Sequence, residues 1–361
     1  MKEVTEKIAE EIERCGPLTF ARFMELALYC PVIGYYEKEE DTLGHTGDYY
    51  TSVSVGPLFG ELLARQFAQW LKDVSGPVQL VEGGAHRAQL AHDVLRWFRS
   101  NRPELFARLE YLLVEPSARR REWQRRTLAE FPQRVRWVEV LPGQSDVFAI
   151  IFSNELFDSM PVHRLGWDAE QRAWFEWAVT IQDGHFAWTR TQPDEQLVEL
   201  AREQVDSSGA FPEWLPAGFI FDVCPEAEKW WGDAAGALSR GKLLTFDYGL
   251  SSNELLMPER RAGTLRAYYR HRVSDDLLAN PGEQDITAHV NFGALESEGK
   301  AAGLITELFT TQARFLTSIA AGLWKNEGCE NWTPEQTRQF QTLTHPEHLG
   351  EKFRVLIQAR A

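Results

Sequence analysis

Apolar positions recur along this chain at two different spacings, and the change from one to the other divides it. Residues 5–15 place Ile8, Ile12 and Cys15 on one face of a helix that stops at Gly16-Pro17, a glycine exit followed by a breaker. A second helix follows at once: Thr19 caps it, Phe20, Phe23, Met24, Ala27 and Leu28 line its apolar face, and Pro31 closes it. Farther on, apolar positions 59, 62, 63, 67, 70 and 71 keep helical spacing, so the preceding GDYYTSVSVGP is a loop that enters an amphipathic helix.

From residue 78 short apolar runs alternate with helical patterns. Strands are expected at 78–82 (VQLVE), 111–115 (YLLVE), 135–140 and 147–153. Helices are expected at 89–98 and from the Ser117 cap to about residue 131. Strands alternating with helices in this way describe a doubly wound α/β sheet, whose ligands bind at the carboxyl ends of the strands. After Pro161 the period changes to two. Residues 162–190 read as β-hairpins turning at Trp167-Asp168-Ala169 and Asp183-Gly184. Helices at 195–204 and 226–239 flank a strand at 219–223, and a buried strand at 242–247 meets a sharp exit at Gly249. A helix opened by the capping box Thr333-Pro-Glu-Gln336 and a strand at 353–358 close the chain.

With 361 residues, 43% of them hydrophobic and 25% charged, the chain can bury a full core in one large domain with an insertion or in two domains. No apolar run reaches the roughly eighteen residues of a membrane-spanning helix, and the first residues have no apolar core, so no membrane role and a cytoplasmic setting are expected. Cys15, Cys30, Cys224 and Cys329 are scattered, which argues against a disulfide framework or a zinc site. His345 and His348 lack a third ligand nearby, and no metal is expected. A net charge of −15 repels phosphate backbones and attracts a basic protein partner, although solubility alone also accounts for it. Of thirteen tryptophans, Trp167, Trp174, Trp177, Trp188, Trp214, Trp230 and Trp231 cluster in sequence, as core rings or as walls of a cleft.

VEGGAHRAQL follows the first strand of this series and opens a helix, the place where backbone N–H groups approach a polar ligand. Glu115 ends the second strand, where a carboxylate accepts both hydroxyls of a ribose; capping of the next helix is the alternative. SNELFDSMP follows the fourth strand. There Asn154, Glu155 and Asp158 either engage a ligand or cap a helix and lie solvated in its first turn. His289 sits between Ala288 and Val290 as a proton acceptor or as a satisfied core histidine. The arginines of residues 263–292 can also pair internally with Asp275, Asp276, Glu283 and Asp285, giving an ordered lid.

Four segments, in order, resemble the MidA family of S-adenosylmethionine-dependent methyltransferases, whose mitochondrial members methylate an arginine during respiratory complex I assembly. They are GPLTFARFMELALYCPVIGYY (16–36), GDYYTSVSVGPLFGELLA (47–64), SNELFDSMPVHR (153–164) and GTLRAYYRHRVSDDLLANPGEQDITAHVNF (263–292). The resemblance implies a class I methyltransferase, Rossmann-like fold: a helical cap at 1–75, a core at 76–160 and 219–361, and an inserted hairpin and helical region at 161–218 forming a wall of the substrate cleft. It implies S-adenosylmethionine as cofactor, with Gly47, Asp48, Thr51, Glu82, Gly84 and Glu115 against it. The family pattern E-x-G-x-G-x-G falls on Glu82, Gly84, His86 and Ala88, so two glycines are replaced. By the same resemblance Asn154, Glu155, Asp158 and His289 serve an arginine acceptor on a partner protein, the carboxylates clamping its guanidinium. A degenerate fold acting as an assembly factor is the alternative raised by the two replaced glycines.

Overall fold

The structure, a computed structural model, describes residues 3–38, 51–207, 209, 215–270, 272–327 and 332–360. The chain forms two compact units. Tyr50–Leu156, Trp231–Tyr248 and Glu298–Ala361 make a sheet unit, and Met1–Tyr49, Phe157–Trp230 and Gly249–Ser297 make a hairpin unit.

The sheet unit is built on seven strands: β1 (Val78–Gly83), β2 (Leu109–Val114), β3 (Val135–Val138), β4 (Phe148–Asn154), β5 (Gly241–Leu250), β6 (Ile305–Thr311) and β7 (Phe353–Arg360). Their order is β3-β2-β1-β4-β5-β7-β6. Strands β1 to β5 pair in parallel, and β7 runs antiparallel to both β5 and β6. Buried on both faces, the inner parallel strands have near-continuous apolar runs rather than alternation, while β3 at the edge exposes Arg136. Helices Leu58–Leu71, Gln89–Asn101 and Gln312–Glu327 add to the same core, where Phe67 meets Phe152 and Phe246 lies between Phe59 and Phe315. The expected capping box is present: Gln336 N donates to Thr333 Oγ1, and the Gln336 side chain accepts from Thr333 N.

The hairpin unit centres on an antiparallel sheet of Leu18–Thr19, Ala173–Gln182, His163–Asp168 and Ile220–Val223, with His185–Thr191 pairing beside Ala173–Gln182. Asp183 and Gly184, both at positive φ, make the expected tight turn. The first turn comes later than expected, over residues 169–172, because Asp168 Oδ1 accepts from Glu170 N and Gln171 N and draws the chain round after it. Helices Val4–Cys15 and Phe20–Tyr29 bury Ile8, Phe20, Phe23 and Leu28 with Val179 and Ile286, and Thr19 caps the second helix by accepting from Arg22 N. Trp167 and Trp174 pack edge to face in a second cluster. A small sheet joins Arg266–Tyr269 to Arg272–Ser274 and Asp285–Thr287.

Two divisions of the chain differ from the expected ones. Residues 1–75 do not stay together: Leu58, Leu62, Leu63 and Phe67 bury their helix in the sheet unit. Nor does the hairpin unit end at 218; Leu265, Ile286 and Ala288 pack with Phe20 and Phe23, which brings Gly249–Ser297 into it. Residues 292–327, left unread in the sequence, supply helix Phe292–Ala301, β6 and helix Gln312–Glu327.

Gly249 is not a sharp exit. It continues β5, pairing with Val290, and a Cβ there would lie 2.5 Å from Phe292 Cε2 and from the Val290 carbonyl oxygen. Gly249→Ala should therefore lower stability by about 1–3 kcal/mol, as overpacking does. Urea unfolding measures this, and an unchanged midpoint would mean that Phe292 gives way without cost.

Candidate active site

The strand order reverses between β1 and β4, and parallel sheets bind ligands beside such a reversal, at the carboxyl ends of the strands. Parallel register sets Glu82 opposite Phe152 and Gly83 opposite Ser153, so the two strands release their chains side by side. The turn after β1 places Gly84, His86 and Ala88 at φ of 72°, 44° and 62° before the helix Gln89–Asn101 begins. These are the three glycine positions of the family pattern. A side chain in this region costs about 1–2 kcal/mol per residue, yet the backbone keeps the conformation that glycine would favour. Gly84 has a further reason to lack a Cβ, which would come within 2.8 Å of Leu156 Cδ1.

At the end of β4 no helix follows, and the expected capping alternative for Asn154 and Glu155 is wrong. The reason is where the backbone donors go: Glu155 N donates to the Phe246 carbonyl of β5, and Leu156 N donates to Asp247 Oδ2. Glu155 takes φ 53° and turns its carboxylate inward, where Oε1 accepts from Asn154 Nδ2 at 2.8 Å and from Ser52 N at 3.1 Å. Asn154 Oδ1 is buried and has no hydrogen-bond partner among the described residues. A buried acceptor left this way is costly unless a ligand donor meets it.

Glu115 is 2% exposed, and its carboxylate lies against the start of the next helix. Its Oε1 accepts from Ser117 N and Arg120 Nε at the start of the next helix, and Oε2 accepts from Gln124 Nε2 at 3.1 Å. A carboxylate has about four acceptor positions, so one remains for a ligand hydroxyl. Gln124, fully buried, was not singled out in the sequence. It also donates to the His86 carbonyl and accepts from Trp137 Nε1, tying the turn after β1 to the end of β2. Its only sequence signal is an amide beside Trp123 on the buried face of an arginine-rich helix.

Glu82 accepts from the Tyr111 hydroxyl at 2.5 Å, and burial pushes its pKa up to about 7 against the lowering effect of that bond. Burial, then the charges of Arg87 and Arg120, pull His86 down to about 4, so its ring is neutral near pH 7. Thr51 closes its own turn, accepting from Ser54 N, while Ser52 beside it donates its hydroxyl to Gln312. Gly47 and Asp48 lie outside the described residues. Ser52 and Asp247 are further residues of this edge that the sequence reading missed; an acid inside the apolar run KLLTFDYGL was the available signal for Asp247. At the other, amino edge of the strands a groove of about 480 Å³ opens beside Phe148, Gly241 and Ile305.

Asp158 and His289 belong to the hairpin unit, where the Asp158 carbonyl accepts from Ala288 N at 2.8 Å. Near Asp158 lies a cluster of acids and tyrosines. Tyr36 donates to Asp285 Oδ1 at 2.7 Å and stacks on Tyr29, whose hydroxyl donates to Ser159. Burial first, then Asp285, Tyr29 and Asp158, raise the Tyr36 pKa well above the usual phenol value. Glu283 pairs with Lys38, and Asp285 accepts from the Tyr36 hydroxyl. His289 N donates to Thr264 Oγ1, and Thr264 N donates to Asp222, which holds Arg164 at 2.8 Å. His289 Nδ1 is buried without a hydrogen-bond partner among the described residues, and burial, Arg266 and Arg260 lower the pKa to about 4. Among the described residues it is not a satisfied core histidine.

A sheet of this order with its last strand antiparallel, a left-handed turn after β1, an acid after β2 and an amide at the end of β4 is a class I methyltransferase fold. Residues 62–310 match the profile of a family described as S-adenosyl-L-methionine-dependent methyltransferase, and the chain belongs to that family. It is 28% identical over 375 residues to the mouse protein named Protein arginine methyltransferase NDUFAF7, mitochondrial, covering 95% of this chain and 81% of that one. The human protein of the same name is 27% identical, with 95% and 80% covered. A protein of Burkholderia thailandensis solved with S-adenosyl-homocysteine bound is similar in structure, with a TM-score of 0.84, 31% identity, and 99% of this chain and 92% of that one covered. The chain is an S-adenosylmethionine-dependent methyltransferase, and the open position on Glu115 beside the turn after β1 fits that cofactor.

Gly84→Ala adds a methyl group to a left-handed residue already in contact with Leu156, and should cost about 2–4 kcal/mol by strain and overpacking together. Thermal or urea unfolding tests it; Ala88→Gly, which relieves strain but gives up a buried methyl, should stay within about 1 kcal/mol of the parent. For Glu82 the folded pKa of about 7 exceeds the ordinary 4.5, so the folded state binds the extra proton between those values. Stability should fall as pH rises from about 4.5 to about 7 and level off above. Glu82→Gln should flatten that slope and stabilise the protein at pH 8 by on the order of 2–3 kcal/mol. A parallel pH profile in the variant would exclude Glu82 as the source.

Proposed function

We propose that this enzyme transfers the methyl group to a guanidinium nitrogen of an arginine on a partner protein. The donor side comprises Gly47, Asp48, Thr51, Glu82, Gly84 and Glu115. The acceptor side comprises Asn154, Glu155, Asp158 and His289. The observation that carries this reading is the polarity of the residues after β4: an unpartnered amide oxygen, an inward carboxylate, and a buried Asp158 three residues on. Full-length similarity to proteins named as arginine methyltransferases supports the acceptor, and the net charge of −15 supports a cationic one.

S-adenosylmethionine supplies an already activated methyl group, so the protein's contribution is alignment and removal of a proton. A guanidinium stays protonated at physiological pH, and its nitrogen must lose a proton as the methyl arrives. Carboxylates orient the planar fork through charge-assisted bonds and receive that proton. His289, neutral near pH 7, offers a ring nitrogen to a guanidinium N–H. The free thiols of Cys15, Cys30 and Cys224 fit a reducing compartment, and the mouse and human relatives are mitochondrial by name.

Isothermal titration with S-adenosyl-homocysteine should show binding that Glu115→Ala weakens by about 1.5–3 kcal/mol. Glu155→Gln and Asp158→Asn should leave that affinity nearly unchanged while abolishing transfer of labelled methyl to arginine-containing peptides, because the lost contacts belong to the acceptor and transition state. Label appearing equally on peptides with lysine in place of arginine would overturn the arginine assignment.

A further inference from the structure

Positive charge is not spread over this acidic chain. Residues 84–139 contain twelve arginines, no lysine and seven acidic residues, a surplus of five positive charges; the chain as a whole carries −15, so the remainder carries −20. The sheet unit gathers these arginines on adjoining elements. Helix Gln89–Asn101 presents Arg96 and Arg99, helix Ala118–Thr127 presents Arg125 and Arg126, and the edge strand β3 presents Arg136, all exposed. His92 and Arg99 of the first helix both reach Glu130, just past the second, and Arg125 lies over Trp137 of β3 at 5.2 Å. Internal pairs such as Arg136–Glu110 and Arg126–Glu122 neutralise part of this face but not the surplus.

Several of the guanidinium groups are stacked and therefore held. Arg87 and Arg119 lie over Trp123 at 5.1 and 5.5 Å, and Arg65 and Arg102 over Trp97 at 5.4 and 6.0 Å. A planar donor fork held on a ring loses little freedom on meeting a carboxylate, which it binds through two parallel bonds. The same stacking covers ring faces that nucleobases would need, and a long polyanion leaving the patch would meet the −20 of the remainder. We propose that this face docks a short acidic segment, rich in Asp and Glu, of a partner protein. The assignment is independent of the acceptor residue, since none of these arginines belongs to the cofactor or acceptor sets.

The test uses the full chain and two fluorescent probes of about ten units each, oligo-glutamate and oligouridine, in anisotropy titrations between 50 and 200 mM salt. Oligo-glutamate should bind at low salt and weaken about tenfold or more over that range. The triple variant Arg96→Glu, Arg126→Glu, Arg136→Glu should weaken it at least about tenfold again, with the unfolding midpoint and S-adenosyl-homocysteine affinity unchanged. Absence of oligo-glutamate binding, or equal binding by the variant, overturns the proposal. Tighter binding of oligouridine would make the face a nucleic-acid surface instead. Sedimentation showing self-association that the variant abolishes would mean that a second copy's acidic surface occupies it, and would equally overturn the proposal.

Discussion

Strand β1 is paired in parallel on both sides, with Glu82 and Gly83 opposite Leu113 and Val114 of β2 and opposite Phe152 and Ser153 of β4. Because of that register three chains leave the sheet at one level: the turn through Gly84, Glu115 after β2, and Asn154-Glu155 after β4. A slip of one residue would exchange the two faces of β1, turning Glu82 away from Tyr111 and breaking the contact between Gly84 and Leu156. The site is in this sense a property of strand pairing before it is a property of any side chain.

The polar groups around this edge are differently treated, and the difference has a physical cause. Glu115 accepts three hydrogen bonds, one of them from Arg120, which offset the cost of burying its charge. Glu82 has the Tyr111 hydroxyl and, among the described residues, no cation that shifts it, so burial raises its pKa. Burial thus leaves Glu82 holding its proton nearly to neutrality. Asn154 is fastened through its amide nitrogen to Glu155, and that leaves its oxygen as the group still seeking a donor. The hairpin unit shows the same pattern, with Asp158 and Asp285 buried near tyrosines whose pKa values burial first, and then these acids, raise.

Much of the fold was legible in the chain. Continuous apolar runs such as VQLVE and YLLV mark strands buried on both faces, and Asp183-Gly184 marks a hairpin because few residue pairs accept two left-handed positions. Capping positions at Thr19, Ser117 and Thr333 were equally plain, since a hydroxyl before a helix has one common use. Less legible was the exit from β4. SNELFDSMP has the composition of a helix start, but its backbone donors find β5 and Asp247 first. Gly249 misled for a related reason: its small size serves the close approach of Phe292 rather than a turn.

By itself the sequence determined the alternation of strands and helices, the family, and the acids and amide at the carboxyl ends of β1, β2 and β4, because these depend on local period and residue type. Tertiary structure decided what a local pattern does not contain. His86 and Ala88 take glycine's conformation because the strand pairing and Gln124, arriving from a distant helix, hold the turn in place. Gln124, Ser52, Tyr36 and Asp285 became parts of the candidate sites only when the fold brought them to partners far along the chain. Hydrogen bonds between residues remote in sequence leave no periodic mark, and the chain has to fold before they can be read.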